Sequence, residues 1–238
     1  MTWYQEWFGE EYLDLYSYRD DDEARRHISF FQSQFGHIDG IILDLACGSG
    51  RHLNEFFRSG YDARGCDLSY PLLRKAFREH PESGVVVRAD MRHLPFGSSR
   101  FHGLTNFFTS FGYFENEDDN FAAAREMARV LRDGAPFLLD YLNVKRELQK
   151  LVQSETLVMD QKEVGIERWF DASSKTFNKR ITIGDRRFLE RVRGYYSDEL
   201  GDLFVAAGFT IRKSFGDFDG GDFDDESPRL ILVGEKTR

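Results

Sequence analysis

The feature that most constrains the fold is a regular alternation of short apolar runs with helical stretches, which starts at residue 41. Strands are predicted at 41–45, 61–66, 84–88, 101–106 and 135–141, with helices at about 50–59, 69–79 and 118–132. This alternation is typical of βαβ units and a parallel sheet. Residues 155–196 interrupt it with three extended runs, at 155–170, 175–183 and 186–196, separated by polar turns, which predicts an antiparallel β insertion. The pattern then resumes with a helix at about 197–207 and strands at 209–215 and 229–236.

Residues 1–36 precede the first strand and are predicted to form two helices. The first places aromatic side chains at spacings of three and four residues, namely Trp3, Trp7, Phe8, Tyr12 and Tyr16. Such a stripe is typical of a core face, and its position also suits a lid over a pocket. We predict one domain spanning 1–238, with a helical lid at 1–36 and a β insertion at about 155–196. The insertion is either a second lid or a homodimer surface.

The turn after the first strand, in "ILDLACGSGRHL", is typical of a nucleotide-binding loop. Gly48 and Gly50 match the first two glycines of a dinucleotide-binding turn, but Leu53 occupies the third position. No G-K-[ST] follows, so the pattern of a phosphate-binding P-loop is absent as well. The residues therefore argue against a pyrophosphate ligand. Asp44 supports this, because a carboxylate in the strand suits a ligand with an amino group.

Acidic residues end three successive strands. Asp44 lies in the first strand, Asp67 ends the second in "GCDLS", and Asp90 ends the third beside Met91. The carboxyl ends of parallel strands form one edge of the sheet, where open α/β folds bind ligands. Asp67 is placed to accept the hydroxyls of a ribose, and Asp90 to face the amine of an adenine. The row fits a ligand with a cationic amine, a ribose and an adenine, without phosphate.

In this order and spacing, residues 41–238 resemble the class I S-adenosylmethionine-dependent methyltransferases. "LDLACGSGR" is similar to the first motif of that superfamily, "GCDLSYPLLRKA" to its ribose motif and "ADMRHLPF" to its adenine motif. The resemblance implies an α/β, Rossmann-like sheet of seven strands in the order 3-2-1-4-5-7-6, with the last strand antiparallel. It implies S-adenosylmethionine as cofactor and S-adenosylhomocysteine as product. The donor contacts it implies are Asp44, Ala46, Gly48 and Gly50 for the methionine part, Asp67 and Leu68 for the ribose, and Asp90 and Met91 for the adenine.

The loop after the fourth strand, "NFFTSFGYF", lies where the transferred methyl group is expected. Asn106, Phe108 and Ser110 are interpreted either as walls of the donor site or as packing residues. The loop lacks the [N/D]-P-P-[Y/F] tetrapeptide of amino-methyltransferases that act on DNA or on protein glutamine. No motif defines a general base. The candidates for a catalytic role are Tyr12, Tyr16, Tyr141, Asn143 and Arg168, whereas His52, His93 and His102 are at least as consistent with structural roles.

Composition narrows the partners. The formal net charge of −9 argues against nucleic acid and for a small or neutral substrate. Two cysteines and no Cys/His cluster predict neither a disulfide framework nor a metal site, and the acidic run Gly216–Pro228 lacks EF-hand spacing. No secretory signal or membrane span is evident, so we expect a cytoplasmic protein.

Three hypotheses follow. The first is an enzyme that methylates an O, N or C atom of a small molecule. The second is a tRNA or protein methyltransferase, which a contiguous basic face around Lys175–Arg193 would favour. The third is a protein that binds S-adenosylmethionine without catalysing transfer.

Overall fold

The computed structural model describes residues 2–16, 21–159 and 162–237. Within them, eleven strands form two sheets. The strands are β1 (Ile41–Leu45), β2 (Asp62–Asp67), β3 (Val85–Arg88), β4 (Gly103–Asn106), β5 (Pro136–Leu142), β6 (Ser154–Met159), β7 (Lys162–Asp171), β8 (Thr176–Ile183), β9 (Arg186–Arg193), β10 (Phe209–Phe215) and β11 (Arg229–Lys236). The helices are α1 (Trp3–Trp7), α2 (Glu10–Leu15), α3 (Asp21–Phe35), α4 (Arg51–Arg58), α5 (Tyr70–Glu79), α6 (Glu117–Val130), α7 (Val144–Gln149) and α8 (Ser197–Ala207).

The larger sheet has the order β3-β2-β1-β4-β5-β11-β10. Strands β1 to β5 run parallel, whereas β11 pairs antiparallel with both β5 and β10. The predicted order 3-2-1-4-5-7-6, with its antiparallel last strand, is therefore confirmed. Because every crossover between the parallel strands passes over a face of the sheet, their carboxyl ends meet at one edge.

Both faces of this sheet are buried, which explains why apolar residues predominate in its central strands β1 and β5. Along β1, Ile42 faces a cluster with α3 and α4, whereas Leu43 and Leu45 face the cluster built on α6 and α8. This two-residue alternation follows from strand geometry. The apolar packing leaves the polar ends of the strands as the place for a site.

The smaller sheet has the antiparallel order β6-β7-β8-β9. It occupies the segment predicted as an insertion, but its first run, predicted as one extended stretch at 155–170, is two strands. Val164, Ile166 and Ile181 of this sheet pack around Trp7, with Tyr12 and Tyr16 nearby. The aromatic stripe of the N-terminal segment therefore packs against the second sheet.

Three local expectations differ from the structure. The first N-terminal helix divides into α1 and α2 at Gly9, and the predicted segment beyond Tyr16 lies partly outside the described residues. Strand β4 begins at Gly103, because Phe101 makes only a single bridge to Leu131. Helix α7 was not predicted. Among the described residues, no helix is both long and apolar enough to cross a membrane.

Candidate functional site

A cavity of about 470 Å³ opens at the carboxyl edge of the larger sheet. The turns after β1 and β2 and the segments after β3 and β4 form its inner walls. Residues of α1, α2 and β9 cover it from the other side. The cavity therefore lies between the strand ends and the contact of the N-terminal helices with the second sheet, which is where open α/β folds bind ligands.

The β1–α4 turn adopts a conformation that favours small residues. Ala46, Gly48 and Gly50 have positive φ angles of 58°, 54° and 83°. Ala46 and Gly48 line the cavity. Gly50 lies behind the wall, where a Cβ atom would come within 3.0 Å of the Cβ of Ala76. Gly50 therefore permits α4 and α5 to approach, and the structure does not place it at the cavity surface.

Asp67 connects the turns after β1 and β2. Its carboxylate accepts hydrogen bonds from the backbone N–H of Gly48 at 2.9 Å and of Ser69 at 2.7 Å. Burial raises the pKa of Asp67, although these backbone hydrogen bonds oppose the rise. Asp67 and Leu68 both line the cavity. The carboxylate thus holds the two loops together at the expected ribose position.

Asp44 is 1% exposed and lines the cavity from within β1. Its Oδ1 accepts a hydrogen bond from Thr105 Oγ1 at 3.1 Å, whereas its buried Oδ2 has no partner within the described residues. Burial raises the pKa of Asp44 to about 7; the Thr105 hydrogen bond opposes this rise, and the charge of Asp67 adds to it. A buried carboxylate oxygen without a donor is costly, so the site favours a cationic or N–H-bearing ligand.

Asp90 and Met91 line the cavity after β3. Asp90 also makes an ion pair with Arg92, at 2.6 Å, and Arg92 continues to Asp119 at 2.8 Å. Burial acts to raise the pKa of Asp90, but the hydrogen bonds and charge of Arg92 outweigh it and lower the pKa. This carboxylate therefore stays ionised and is oriented by Arg92, a contact that the sequence did not predict.

The loop after β4 is held in a left-handed conformation at the cavity wall. Phe108 and Thr109 both have a φ of 58°. Asp140 accepts a hydrogen bond from the Phe108 N–H at 2.7 Å through its carboxylate, and one from the Thr109 N–H at 2.9 Å through its carbonyl. Arg229 joins Asp140 Oδ1 at 2.6 Å and Thr109 Oγ1 at 2.7 Å. Phe108, Thr109, Ser110 and Arg229 all line the cavity.

Aromatic rings of the N-terminal helices form the outer wall. The Trp3 and Tyr113 ring centroids lie 5.0 Å apart, those of Phe8 and Tyr12 4.9 Å, and those of Tyr12 and Tyr16 4.7 Å. The carbonyl of Phe8 accepts a hydrogen bond from Ser69 Oγ at 2.5 Å. Two of the catalytic candidates, Tyr12 and Tyr16, therefore lie at the cavity.

Glu190 of β9 fastens this outer wall to the second sheet. Its Oε1 accepts hydrogen bonds from Trp7 Nε1 at 2.5 Å and from the Tyr16 hydroxyl at 3.2 Å. Lys179 lies 3.4 Å from the Glu190 carboxylate and also donates to the Tyr16 hydroxyl. Glu190 lines the cavity, so one carboxylate serves both the wall and the space inside it.

Two buried histidines lie behind the inner wall. His27 Nδ1 and His52 Nε2 are 3.0 Å apart, and the His52 ring stacks on Phe107 at 4.1 Å. Burial, together with the positive charges of Arg229, Arg26 and Arg51, lowers the pKa of His27 to about 3. His27 is therefore neutral. Arg51 and Arg229 also line the cavity wall.

Besides Gly50, four of the predicted site residues do not line this cavity. The Tyr141 hydroxyl donates to the carbonyl of Arg193, and Asn143 donates to three carbonyl groups of the segment 224–227. Arg168 pairs with Glu155 on the second sheet at 2.5 Å. Asn106 is buried and donates to the carbonyl of Leu45 at 2.9 Å. Each of these four side chains makes a structural hydrogen bond or ion pair instead, and Gly50 serves helix packing.

Sequence reasoning missed Arg229 and Glu190. Arg229 begins β11, more than 80 residues from the Asp140 that it contacts, and Glu190 lies in a segment that showed only alternation. A charged residue at a strand end was the available signal for Arg229, as it was for the three aspartates. For Glu190 no comparable signal existed, because its environment depends on how the second sheet meets α1 and α2.

Comparison with known proteins gives a consistent result. A family model described as a methyltransferase domain matches residues 42–134. The enzyme named dTDP-3-amino-3,4,6-trideoxy-alpha-D-glucopyranose N,N-dimethyltransferase, from Streptomyces venezuelae, is 30% identical over 99 residues, which are 42% of this chain and 41% of that protein. The match thus spans about two fifths of the length of that relative.

Solved structures extend the likeness to the whole fold. The CcbJ methyltransferase from Streptomyces caelestis is 21% identical with a TM-score of 0.83, and the match covers 98% of both chains. CalS10, an amino pentose methyltransferase from Micromonospora echinaspora whose structure contains S-adenosylmethionine, is 20% identical with a TM-score of 0.68 over 92% of both chains. At these identities the likeness establishes the fold.

Proposed function

We propose that this chain, a member of the class I S-adenosylmethionine-dependent methyltransferase superfamily, transfers a methyl group from S-adenosylmethionine to a small-molecule acceptor. The observation that carries the proposal is Asp44. Its buried Oδ2 lacks a donor at the cavity, beside the turn with Gly48 and Asp67. The ammonium group of an amino-acid ligand satisfies that oxygen, whereas a phosphate group would be repelled by it.

The residues that would hold the donor follow the strand ends. Asp44, Ala46 and Gly48 would contact its amino-acid end, Asp67 with Leu68 its ribose, and Asp90 with Met91 its adenine. All of these line one cavity. The chemistry supplied by the bound donor is a methyl group on a sulfonium sulfur, open to in-line attack.

The chain's own contribution is to align the acceptor and to exclude water. The rings of Trp3, Phe8 and Tyr113 form an apolar outer wall, and Phe107 and Phe108 close the inner one. Aromatic faces tolerate a nearby cation and carry no competing nucleophile. The left-handed turn at Phe108 and Thr109, held by Asp140, fixes the wall where the acceptor would lie.

Among acceptors with an oxygen, nitrogen or carbon nucleophile, the cavity favours an amine. Two carboxylates besides the strand-end aspartates line the cavity, Glu190 of β9 and Glu147 of α7. Carboxylates and aromatic faces attract amines. The relative from Streptomyces venezuelae is named as an N,N-dimethyltransferase of an amino sugar, which supports the same class.

A tRNA or protein acceptor is less well supported. The basic segment that would mark such a surface is paired with acids, through Lys175 with Glu199, Arg180 with Glu167, Arg186 with Glu11, Arg191 with Glu115 and Arg193 with Glu117. Paired cations neutralise few phosphates. The expected cytoplasmic location and a homodimer through the second sheet stay predictions.

The proposal is tested by calorimetry and then by transfer. Titration with S-adenosylhomocysteine is expected to give one site per chain, and the Asp67→Asn variant is expected to bind more weakly. Asp219→Asn, at an exposed loop position, serves as the matched control. Incubation with S-[methyl-³H]adenosylmethionine and a panel of amino sugars and other small amines is expected to yield a labelled product. Absence of binding at millimolar ligand contradicts the proposal, and binding without transfer to any amine, alcohol or activated carbon favours the non-catalytic hypothesis.

A further inference from the structure

We infer that Arg229 binds a carboxylate group of a ligand in the cavity. This inference rests on the proposed function, because it concerns the same cavity. It adds a positively charged contact on β11, remote in sequence from every motif that resembles the superfamily. Four observations carry it.

The first observation is that Arg229 is held in place at the cavity wall. Its Nε donates to Asp140 Oδ1 and its Nη2 to Thr109 Oγ1, at 2.6 and 2.7 Å. Its Nη1 atom makes no hydrogen bond within the described residues, and the side chain is 28% exposed. A guanidinium fixed by two contacts loses little conformational freedom when its remaining N–H groups bind an anion.

The second observation is a second guanidinium group at the same wall. The positive charges of Arg229, Arg26 and Arg51 act with burial to hold the neighbouring His27 neutral. Arg51 lines the same wall, with its guanidinium 5.3 Å from the ring centre of Phe108. Two guanidinium groups therefore lie at this end of the cavity, Arg51 paired with Glu23 at 3.4 Å and Arg229 paired with Asp140 at 2.6 Å.

The third observation is the separation of charges along the cavity. Asp44, Asp67 and Asp90 lie at the ends of β1, β2 and β3, whereas Arg229 reaches from β11 over β5 to the loop after β4. Adjacent strands are about 4.8 Å apart, so the Arg229 guanidinium lies on the order of one to two strand spacings from Asp44. An α-amino acid group, with ammonium and carboxylate on one carbon, fits between such opposite charges.

The fourth observation concerns the purpose of the buried ion pair. Asp140 is 1% exposed and alone accepts the N–H groups of the left-handed loop. Within the carboxylate, Oδ2 accepts the Phe108 N–H and Oδ1 accepts Arg229 Nε, whereas the Thr109 N–H donates to the backbone carbonyl of Asp140. Arg229 thus neutralises the buried carboxylate through Nε alone, which leaves the Nη1 side of its guanidinium for a ligand in the cavity.

The carboxylate has two possible sources, the amino-acid end of the methyl donor and an acidic group of the acceptor. The test uses calorimetry on the full chain with S-adenosylhomocysteine and with its decarboxylated counterpart. A charge-assisted contact of this kind corresponds to about a 10- to 100-fold change in affinity. If the donor is the source, the wild type loses that factor when the ligand lacks its carboxylate. Arg229→Gln then binds both ligands alike, at the affinity of the wild type for the decarboxylated one.

A second arm detects the other source. Protein saturated with S-adenosylhomocysteine is titrated with sodium acetate and followed by NMR. If an acceptor supplies the carboxylate, acetate shifts the NMR signals of the wild type but not those of Arg229→Gln. In that case S-adenosylhomocysteine and its decarboxylated counterpart bind the wild type with equal affinity. Since Arg229→Gln leaves Asp140 unpaired, the double variant Arg229→Gln/Asp140→Asn is measured beside it. Arg212→Gln, which removes an exposed arginine paired with Glu235 on the neighbouring strand, is the matched control.

The outcomes separate the two claims. If S-adenosylhomocysteine does not bind at all, the proposed function fails. If it binds but neither its decarboxylation nor acetate distinguishes Arg229→Gln and the double variant from the wild type, the inference about Arg229 is overturned while the proposed function stands.

Discussion

Asp44→Asn should make the ligand-free protein more stable at pH 8 and the donor complex weaker. The Asp44 carboxyl group is 1% exposed and has a pKa of about 7, whereas an aspartate in the unfolded chain titrates near 3.8. Between these two values the folded state holds a proton that the unfolded state has lost. The folded pKa is raised, so this group destabilises the fold progressively as the pH rises towards 7.

The magnitude follows from the same numbers. Between pH 5 and pH 7 the free energy of unfolding falls by about 1.36 kcal/mol per pH unit because of Asp44, and it levels off above the folded pKa. From pH 5 to pH 8 the wild type therefore loses about 2.5 kcal/mol that Asp44→Asn retains. For a chain of this size that corresponds to about 5–10 °C in Tm.

The assay is a pair of thermal unfolding curves at pH 5 and pH 8 for both proteins, with Asp219→Asn as an exposed control. Comparing the two pH values cancels any pH-independent effect of the new amide. Donor affinity is measured on the same samples. The wild type is expected to bind S-adenosylhomocysteine more tightly as the pH rises through 7, and Asp44→Asn to bind about 100-fold more weakly with no such slope. Equal Tm differences at both pH values, or unchanged affinity, would refute the reasoning.

Three further predictions concern residues around the cavity. Gly50→Ala should lower the free energy of unfolding about 1 kcal/mol more than Gly60→Ala does. The two glycines have similar φ angles, 83° and 80°, but only at Gly50 would the new methyl group contact the Ala76 side chain. Equal losses of the two variants in urea unfolding would exclude that contact. Asn143→Ala should lower stability by about 1–3 kcal/mol through its lost hydrogen bonds and leave affinity for S-adenosylhomocysteine unchanged; weaker binding in calorimetry would return it to the site. Because of His27, the free energy of unfolding of the wild type is expected to fall by about 2 kcal/mol between pH 7 and pH 5, and His27→Gln should abolish that loss. The depressed pKa, about 3, means that the unfolded state gains the proton first; an unaltered acid limb in denaturant unfolding would contradict this.

The sheet could be predicted from the sequence because each of its strands carries a local signal. Apolar runs such as β1, which is followed by a turn containing glycines, can be recognised as strands from the sequence alone. The spacing of the acids then indicates which strand ends meet. The acids at the strand ends could be predicted in the same way, because Asp44, Asp67 and Asp90 line one cavity, as the parallel order of their strands requires. These are consequences of short-range pattern and of the handedness of βαβ units.

The opposite half of the cavity could not be predicted because its contacts join distant segments. Tyr141 lies near the end of β5 and Asn143 follows it directly, much as Asp90 lies just after β3, yet their side chains bond to the carbonyls of Arg193 and of the segment 224–227. Likewise, Arg168 lies on a strand whose partner, β6, was not separated from β7 in the sequence. Which side chain reaches a cavity is decided by packing between elements, and one sequence does not record it.

The contact between Trp7 and Glu190 joins residues 183 positions apart and so bears on the order of events during synthesis. The N-terminal helices leave the ribosome long before β9, and β11, which supplies Arg229, must insert between β5 and β10 later still. Domains assemble as their partner segments become available, and such non-local pairing is slow. A nascent chain halted near residue 185 would therefore hold the turn after β1 but neither the outer wall nor the arginine. Competence to bind ligand is thus expected to arise late, in one step near the completion of the sheet.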